Sequence, residues 1–344
     1  MNFPTRFESS YALADLPWFE MKDGRLRRDP AFGPAIDVHT HLALSFIRKD
    51  TVDLRSAPRP AEHYLPLDAE LDLDVYANRN FTDESLGSMK RDLGLGGVFG
   101  LSGPRDTHTA PNLVSEMSEL GVIASVLLPI EFPTISRNAE AFLDVAGDHD
   151  VLVGFGSVHP FESGYRQRLE RQKAAGARGV KIHPAVQMLP PDHPKALAVY
   201  RACGDLDLPV FWHCGPVDIE GRWGRYCSQV KHYWKAVREC PDTTFVLGHS
   251  GALQMDMAIE LINTYPNVYA EIASQGVSNI RRLVTETPIE RMMFGTDWPF
   301  YHQGAGLAKI LIATEGEPTK RSMVMHENAI GLLGLDAAAL GVTA

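Results

Sequence analysis

Short apolar runs recur along the chain, and stretches with helical spacing separate them. Each run is rich in β-branched residues and is bounded by Gly, Pro or a polar residue, a pattern typical of buried strands. The predicted strands are 36–39, 122–128, 152–158, 179–183, 210–213, 245–249, 268–272 and 292–296. The apolar spacing between them predicts helices over 139–146, 167–175, 195–203, 231–238, 255–263 and 280–287.

Regular alternation of strand and helix indicates a parallel sheet covered by helices, and repeated β/α units of this kind close into a (β/α)₈ barrel. A doubly wound open sheet is the alternative. Polar residues sit at the ends of runs that are far apart in sequence. Because the carboxyl ends of barrel strands converge on one mouth, this placement favours the barrel.

The spacing of the runs also predicts how the chain is divided. Residues 35–335 form the barrel, with an N-terminal arm at 1–34 and a C-terminal tail at 336–344. The segment 42–111 departs from the repeat and reads as an insertion after the first strand, carrying several prolines and acidic residues. Long insertions in compact domains are often functional. We expect either a cap over the barrel mouth or a helical excursion on its side.

Composition excludes several classes of protein. Apolar residues make up 44% of the chain and the formal net charge is -10, so neither a nucleic-acid surface nor an anionic membrane surface is expected. No apolar stretch approaches the ~18 residues of a membrane span, and no signal peptide is recognisable.

The four cysteines lack a CxxC pair, which favours free thiols over structural zinc and predicts a cytoplasmic protein.

Histidines and one aspartate stand at the ends of four predicted strands. His39 and His41 follow the first, and residues at i and i+2 of a strand point to the same side. His213 and His249 end the fifth and sixth, each followed by one residue and a glycine, and Asp297 follows the eighth. A carboxylate placed there is costly unless it is paired or bound to a metal. Together these donors suit zinc-type metals.

The motifs that carry these residues resemble the amidohydrolase superfamily. These motifs are IDVHTH at 36–41, GVKIHP at 179–184, His213, GHSG at 248–251 and GTDWP at 295–299. The likeness spans roughly residues 34–335 and is closest to the branch of amidohydrolase-2 hydrolases and aminocarboxymuconate semialdehyde decarboxylase-like enzymes. ENAIGLL at 327–333 is similar to the last helix of that branch.

The resemblance implies one divalent metal ion, commonly zinc, held by His39, His41, His213 and Asp297, and a possible homodimer. An open metal position lowers the pKa of bound water to about 7. Asp297 is then expected to hold that water and accept its proton, while His249 polarises a substrate carbonyl or shuttles a proton.

Lys181 and His183 end the fourth strand with i, i+2 spacing and are expected to contact substrate or support the metal ligands. In binuclear members of the superfamily a carbamylated lysine at this place bridges two metals, so a second metal at Lys181 is the alternative. The loop after the fifth strand carries Arg222 and Arg225, which suit a carboxylate or an aromatic ring; a solvated loop is equally compatible with the pattern.

Two further residues are predicted to serve the substrate. Trp298, next to Asp297, is expected to wall the pocket, and Glu271 either binds substrate or fixes a ligand histidine. The predicted function is hydrolysis of a C–O or C–N bond in a small cyclic or acyl substrate. Non-oxidative decarboxylation of an aromatic or unsaturated acid is the runner-up. The third hypothesis is a barrel that has lost catalysis and serves as a binding or structural protein. It is disfavoured because a polar cluster without a metal is costly to bury.

Overall fold

The computed structural model describes residues 3–47, 50–132 and 136–342. The four strands outside the barrel are β1 Arg6–Phe7, β2 Phe19–Lys22, β3 Arg25–Arg28 and β5 Leu71–Asp72. The barrel strands are β4 Ala35–Thr40, β6 Val122–Leu127, β7 Leu152–Gly154, β8 Val180–Ile182, β9 Val210–His213, β10 Phe245–Gly248, β11 Val268–Glu271 and β12 Met292–Met293. Every strand predicted from the apolar runs is present, although several end earlier than the run.

The helices follow the strands as predicted. In chain order they are α1 Asp83–Arg91, α2 Gly97–Phe99, α3 Ala110–Leu120, α4 Asn138–Ala146, α5 Tyr165–Ala174, α6 Pro184–Gln187, α7 Pro194–Asp205, α8 Arg222–Cys227, α9 Tyr233–Glu239, α10 Met255–Thr264, α11 Val277–Glu286, α12 Gln303–Ala313, α13 Pro318–Ser322 and α14 Asn328–Leu333. π-helical turns at Asp92–Gly96 and Met323–Glu327 join α1 to α2 and α13 to α14.

The parallel strands form a closed ring. β4, β6 and β7 pair in one sheet and β8 to β12 in another, all in parallel. The gaps between the two sheets are closed by parallel bridges from Gly156 to Val180 and from Thr40 to Trp298. The predicted (β/α)₈ barrel is therefore confirmed, and the open sheet is excluded because both of its edges are paired.

Side-chain alternation separates the inside of the barrel from the outside. Phe211 and Val246 belong to an apolar cluster made mostly of strand residues, whereas Val210, Trp212 and Phe245 pack in the larger cluster that contains most of the helices. Neighbouring strand residues point to opposite faces. The first cluster therefore fills the barrel, and polar side chains from the same strands lie above it.

The N-terminal residues pack on the barrel. β2 and β3 form an antiparallel hairpin, and the Arg28 guanidinium donates to the carbonyls of Leu120 and Gly121 at 2.6 and 3.0 Å. β1 pairs with β5 of the 42–111 segment. These contacts attach the hairpin to α3. The domain limits at 34/35 and 335/336 stay a prediction.

In the three ranges described, no helix has the length and apolarity needed to cross a membrane. The four cysteines are buried free thiols, as expected. Cytoplasmic location and a homodimer stay predictions.

Candidate functional site

Three of the predicted metal ligands meet at the barrel mouth. Oδ1 of Asp297 lies 3.6 Å from Nε2 of His39 and 3.5 Å from Nε2 of His41. Asp297 follows β12 with a positive φ of 65°, and its N–H donates to the carbonyl of His39 at 2.9 Å. This strained conformation, uncommon outside glycine, aims the carboxylate at the two imidazoles.

Hydrogen bonds on the other ring nitrogens orient both imidazoles. Nδ1 of His39 is 2.9 Å from Oε1 of Glu271, and Nδ1 of His41 is 2.7 Å from the carbonyl of Leu128. Each acceptor fixes the proton on Nδ1, so that Nε2 keeps its lone pair toward Asp297. Burial, followed by the charge of Lys181, lowers the pKa of His39 well below its ordinary value. A neutral imidazole is the form that binds metal.

His213 brings a buried nitrogen without a partner. It ends β9, its carbonyl accepts a hydrogen bond from the Tyr233 hydroxyl, and its ring stacks on His183 with the centroids 4.1 Å apart. Its Nε2 is buried and has no hydrogen-bond partner among the described residues. Burying such an atom is costly unless something binds it. The position therefore supports a ligand role for His213.

His249 stands beside these ligands. Its ring centroid lies 4.6 Å from that of His39 and 4.9 Å from that of His213. Its φ is +58° and its backbone N–H donates to Glu271. Within the described ranges its buried Nδ1 has no hydrogen-bond partner. Burial lowers the pKa of His249 to about 4, although Asp297 acts in the opposite direction.

Glycines allow the loops after β9 and β10 to meet. A Cβ on Gly215 would lie 2.0 Å from the carbonyl oxygen of Gly251, and the φ values of the two residues are +88° and +82°. Only glycine fits this approach. The His-x-Gly pattern at both strand ends thus brings His213 and His249 close together.

Lys181 lies at the bottom of the same group. Its Nζ is 3.3 Å from Nε2 of His39 and 4.7 Å from the ring centroid of Phe211, which belongs to the barrel interior. Burial lowers the pKa of Lys181 to about 7, while Asp297 and Glu271 act to raise it. Burial likewise raises the pKa of Glu271, against the N–H donors of His249 and Ala273. Lys181 thus places an amine beside the metal ligands.

These residues fit a divalent metal ion. One donor atom each from His39, His41 and Asp297 lie within 4.8 Å of one another, and the same holds for His39, His249 and Glu271. Imidazole nitrogens with a carboxylate are the donors that zinc-type ions prefer. Together with the unpartnered Nε2 of His213, this indicates a metal site of imidazole and carboxylate donors, with Glu271 behind His39 as its hydrogen-bond partner.

A cavity of about 600 Å³ opens above the site. Its base is polar and is formed by His39, His41, Lys181, His183, His213, His249 and Asp297. Its sides, which we name the apolar wall, are formed by Leu44, Phe46, Met89, Leu93, Ile130, Phe132, Ala185, Val186, Met188, Val217, Ile219, Trp223 and Phe300. The 42–111 segment contributes Leu44, Phe46, Tyr76, Asn78, Met89, Lys90 and Leu93. The segment thus covers one side of the mouth.

The predicted substrate residues divide into two groups. Lys181, His183 and Arg222 line the cavity. Arg225 does not, because its guanidinium pairs with Asp218 and is 47% exposed.

Glu271 and Trp298 also need correction as substrate contacts. Glu271 is fully buried and orients His39 instead, which was the other predicted role. Trp298 is fully buried, and its Nε1 donates to Glu116 at 3.2 Å. Phe300, two residues further on, occupies the cavity wall in its place.

Two buried carboxylates, neither of them predicted from the sequence, accept hydrogen bonds from the loop that carries Asp297. Asp37 accepts from the N–H of Thr296 at 3.0 Å and from Nε2 of Gln303 at 2.7 Å. Glu116 accepts from Trp298, from the N–H of Gln303 at 2.7 Å, and from His63. Asp37 lies in the IDVHTH motif, so its place before His39 was a usable signal. Glu116 lies in a helix with no motif around it.

Known proteins resemble this chain over most of its length. The family model described as Amidohydrolase matches residues 36–335. No curated protein matches the chain. An uncharacterised TIM-barrel protein from Bordetella bronchiseptica is 18% identical with a TM-score of 0.60, and the match covers 90% of this chain and 100% of that one.

Two further solved structures have named activities. A probable 2-pyrone-4,6-dicarboxylic acid hydrolase from Acinetobacter baumannii is 14% identical with a TM-score of 0.57, covering 88% of this chain and 100% of the other. The 5-carboxyvanillate decarboxylase of Novosphingobium aromaticivorans, complexed with manganese, is 13% identical with a TM-score of 0.60, covering 90% and 98%. At these identities the likeness shows the fold.

Proposed function

We propose, starting from the fact that this chain belongs to the Amidohydrolase family, that it is a metal-dependent hydrolase acting on a C–O or C–N bond of a small cyclic or acyl substrate. One observation carries the proposal. Oδ1 of Asp297 faces Nε2 of both His39 and His41, at 3.6 and 3.5 Å, at the base of a cavity large enough for a small molecule.

His39, His41, His213 and Asp297 would hold one divalent ion, which we propose is zinc. When bound, such an ion supplies Lewis-acid polarisation of an oxygen atom and lowers the pKa of water. Three imidazoles and one carboxylate match the donor preference of zinc. Glu271 and the carbonyl of Leu128 keep two of these imidazoles in the neutral form that binds metal.

The remaining steps belong to side chains of the cavity base. Asp297, whose side chain is 14% exposed toward the cavity, accepts a proton from the attacking water and returns it to the leaving oxygen or nitrogen. His249 and Lys181 both line the cavity, and a ring N–H of His249 or the Nζ of Lys181 would donate to the carbonyl oxygen of the substrate. Donors aimed at an oxygen that gains negative charge stabilise the transition state.

Decarboxylation is the second candidate, and one feature favours it. Lys181 lies at the base of a cavity whose sides are mostly apolar, and its amine, when protonated, would suit a carboxylate attached to an apolar body. A named structural neighbour is a decarboxylase of an aromatic acid. In this reaction the C–C bond to the carboxylate breaks, carbon dioxide leaves, and Asp297 or His249 delivers a proton to the carbon that keeps the electron pair.

Turnover in ¹⁸O-labelled water separates the two reactions. We expect the zinc-loaded protein, screened with lactones, esters, amides and aromatic acids, to form a product containing one solvent oxygen. Asp297→Asn should abolish turnover. Asp207→Asn is the matched control, because Asp207 also has a positive φ but is 95% exposed. Release of carbon dioxide without incorporation of solvent oxygen would contradict the hydrolase and support the decarboxylase. Absence of both reactions would contradict both proposals.

A further inference from the structure

The cavity separates polar and apolar surface along its depth. The polar side chains of the base include His39, Lys181 and Asp297, and the apolar wall forms most of the remaining lining. Within the wall, Met89 is only 2% exposed and Leu44 only 7% exposed. Apolar side chains that line a cavity in this way gain from contact with apolar ligand atoms.

Besides the apolar wall, three charged side chains line the cavity away from its base. Among the described lining residues these are Lys90, Glu220 and Arg222. Lys90 and Arg222 are exposed at the mouth. The Glu220 carboxylate accepts from the backbone N–H groups of Val217 and Ile219 at 3.1 and 3.0 Å, so it is engaged by its own loop.

A substrate with several charges is therefore a poor match. A second carboxylate that lay against the apolar wall would have no charged partner among the residues of that wall, and burying an unpaired charge is strongly unfavourable. An apolar body meets no such penalty. The affinity for such a body increases with each apolar group that is removed from water on binding.

Two sides of the wall come from segments that are distant in sequence. Phe46, Met89 and Leu93 belong to the 42–111 segment, while Ile219 and Trp223 follow β9. Together they extend the cavity to about 600 Å³, in the middle of the ~300–1,000 Å³ range of small-molecule sites. This volume exceeds what a single small ring fills.

We infer that the substrate has one polar head, a carbonyl or carboxyl group, and an uncharged apolar body larger than one six-membered ring. The head lies at the base and the body lies along the apolar wall. This inference rests on the proposed metal site and specifies its substrate class. It sets this chain apart from an enzyme for small polyacids.

Alkane hydroxamic acids test the inference without knowledge of the reaction, since the hydroxamate head binds a divalent metal and the chain varies. Binding of the aceto-, butano-, hexano- and octanohydroxamates to the zinc-loaded protein is measured by titration calorimetry. We expect affinity to rise about fourfold per added methylene, the value for burial of one CH₂. Adipic monohydroxamate, which ends in a carboxylate, should bind at least tenfold more weakly than hexanohydroxamate.

A pair of methionines supplies matched variants. Met188 lines the cavity and is 50% exposed, whereas Met257 is 37% exposed on α10 and lies outside the cavity. Met188→Glu should weaken octanohydroxamate binding at least tenfold and leave acetohydroxamate binding unchanged. Met257→Glu should change neither. Equal effects of the two substitutions would overturn the placement of the body along the wall.

The outcomes separate this inference from the proposed function. Metal-dependent binding of acetohydroxamate that is lost in His213→Ala supports the metal site by itself. If affinity then stays flat along the series, or if the adipic compound binds as tightly as hexanohydroxamate, the substrate class is wrong and the metal site stands. If no member binds in a metal-dependent way, both are overturned.

Discussion

Glu271 and His39 form a buried pair in which Oε1 of the carboxylate lies 2.9 Å from Nδ1 of the imidazole. Their side chains are 0% and 1% exposed. The same carboxylate accepts from the backbone N–H groups of His249 and Ala273. Glu271 therefore joins two loops of the site and directs Nε2 of His39 toward Asp297.

Glu271→Gln should weaken metal binding by about 10- to 100-fold, the usual effect of losing a partner that orients a metal ligand. The amide keeps the shape of the side chain but presents an N–H group to one of its donors. A zinc-chelator competition measures the change. Glu260→Gln, at an exposed position, is the control. Unchanged zinc affinity in Glu271→Gln would show that His39 needs no orienting partner.

Gly215→Ala should weaken zinc binding although Gly215 is not a metal ligand. Its Cβ would lie 2.0 Å from the Gly251 carbonyl oxygen, so the loops carrying His213 and His249 must separate. We expect weaker zinc binding and a loss of stability above about 1 kcal/mol, because alanine also opposes the positive φ. Gly221→Ala, with nothing within 4 Å of the new Cβ, should leave zinc binding intact. Equal zinc affinity of the two variants would show that the close approach of Gly215 to Gly251 is not needed for the metal site.

Arg168 should be far more important to stability than its neighbour Arg166. Arg168 is 4% exposed and binds Glu131, Glu140 and Glu162 at 2.9, 2.6 and 2.9 Å. Arg168→Met leaves the buried Glu131 unpaired and should cost about 3–5 kcal/mol.

Arg166 lies on the same helix and pairs with carboxylates while 49% exposed. Arg166→Met should leave the free energy of unfolding almost unchanged, because its ion pairs are exposed to solvent. Urea unfolding of both variants gives the comparison. A similar cost in the two would mean that burial of the Arg168 network contributes nothing.

Glu116 should make stability fall in acid. Burial alone would raise the pKa of Glu116, but His302, His63 and N–H donors outweigh it and lower the pKa to about 2 from the ordinary 4.5. A depressed carboxyl pKa gives stability that is full above the ordinary pKa and is lost as pH falls toward the folded value.

The comparison between wild type and Glu116→Gln isolates this effect. Between about pH 5 and pH 3 the wild type should lose about 2 kcal/mol more than the variant, by linkage from that pKa shift. Urea unfolding at each pH measures the difference. Glu84→Gln, at an exposed position, should follow the wild type. Parallel curves for wild type and Glu116→Gln would contradict the depressed pKa of Glu116.

The sequence was informative where local pattern dictates structure. Apolar runs located every barrel strand because a strand buried on both faces must be continuously apolar. Strand ends also showed which side chains would meet at the mouth, since parallel barrel strands place their carboxyl ends together. His39, His41 and Asp297 lie together for this reason.

Contacts between distant segments could not be read in this way. Phe46 and Met89 reach the cavity through an insertion that has no repeat to fix its path. Trp298 turns inward and Phe300 outward because Glu116, far away in sequence, accepts the indole N–H. No local pattern encodes such a partner. The same limit explains why Arg225 was expected in the cavity, although Asp218 holds it outside.

Metal content per chain tests the central claim most directly. The purified protein, reconstituted with zinc and dialysed, is compared by elemental analysis with His213→Ala and with His149→Ala, a half-buried histidine outside the site. We expect about one divalent ion per chain in the wild type and in His149→Ala, and its loss in His213→Ala. Absence of bound metal from the reconstituted wild type, or full retention in His213→Ala, would contradict this claim.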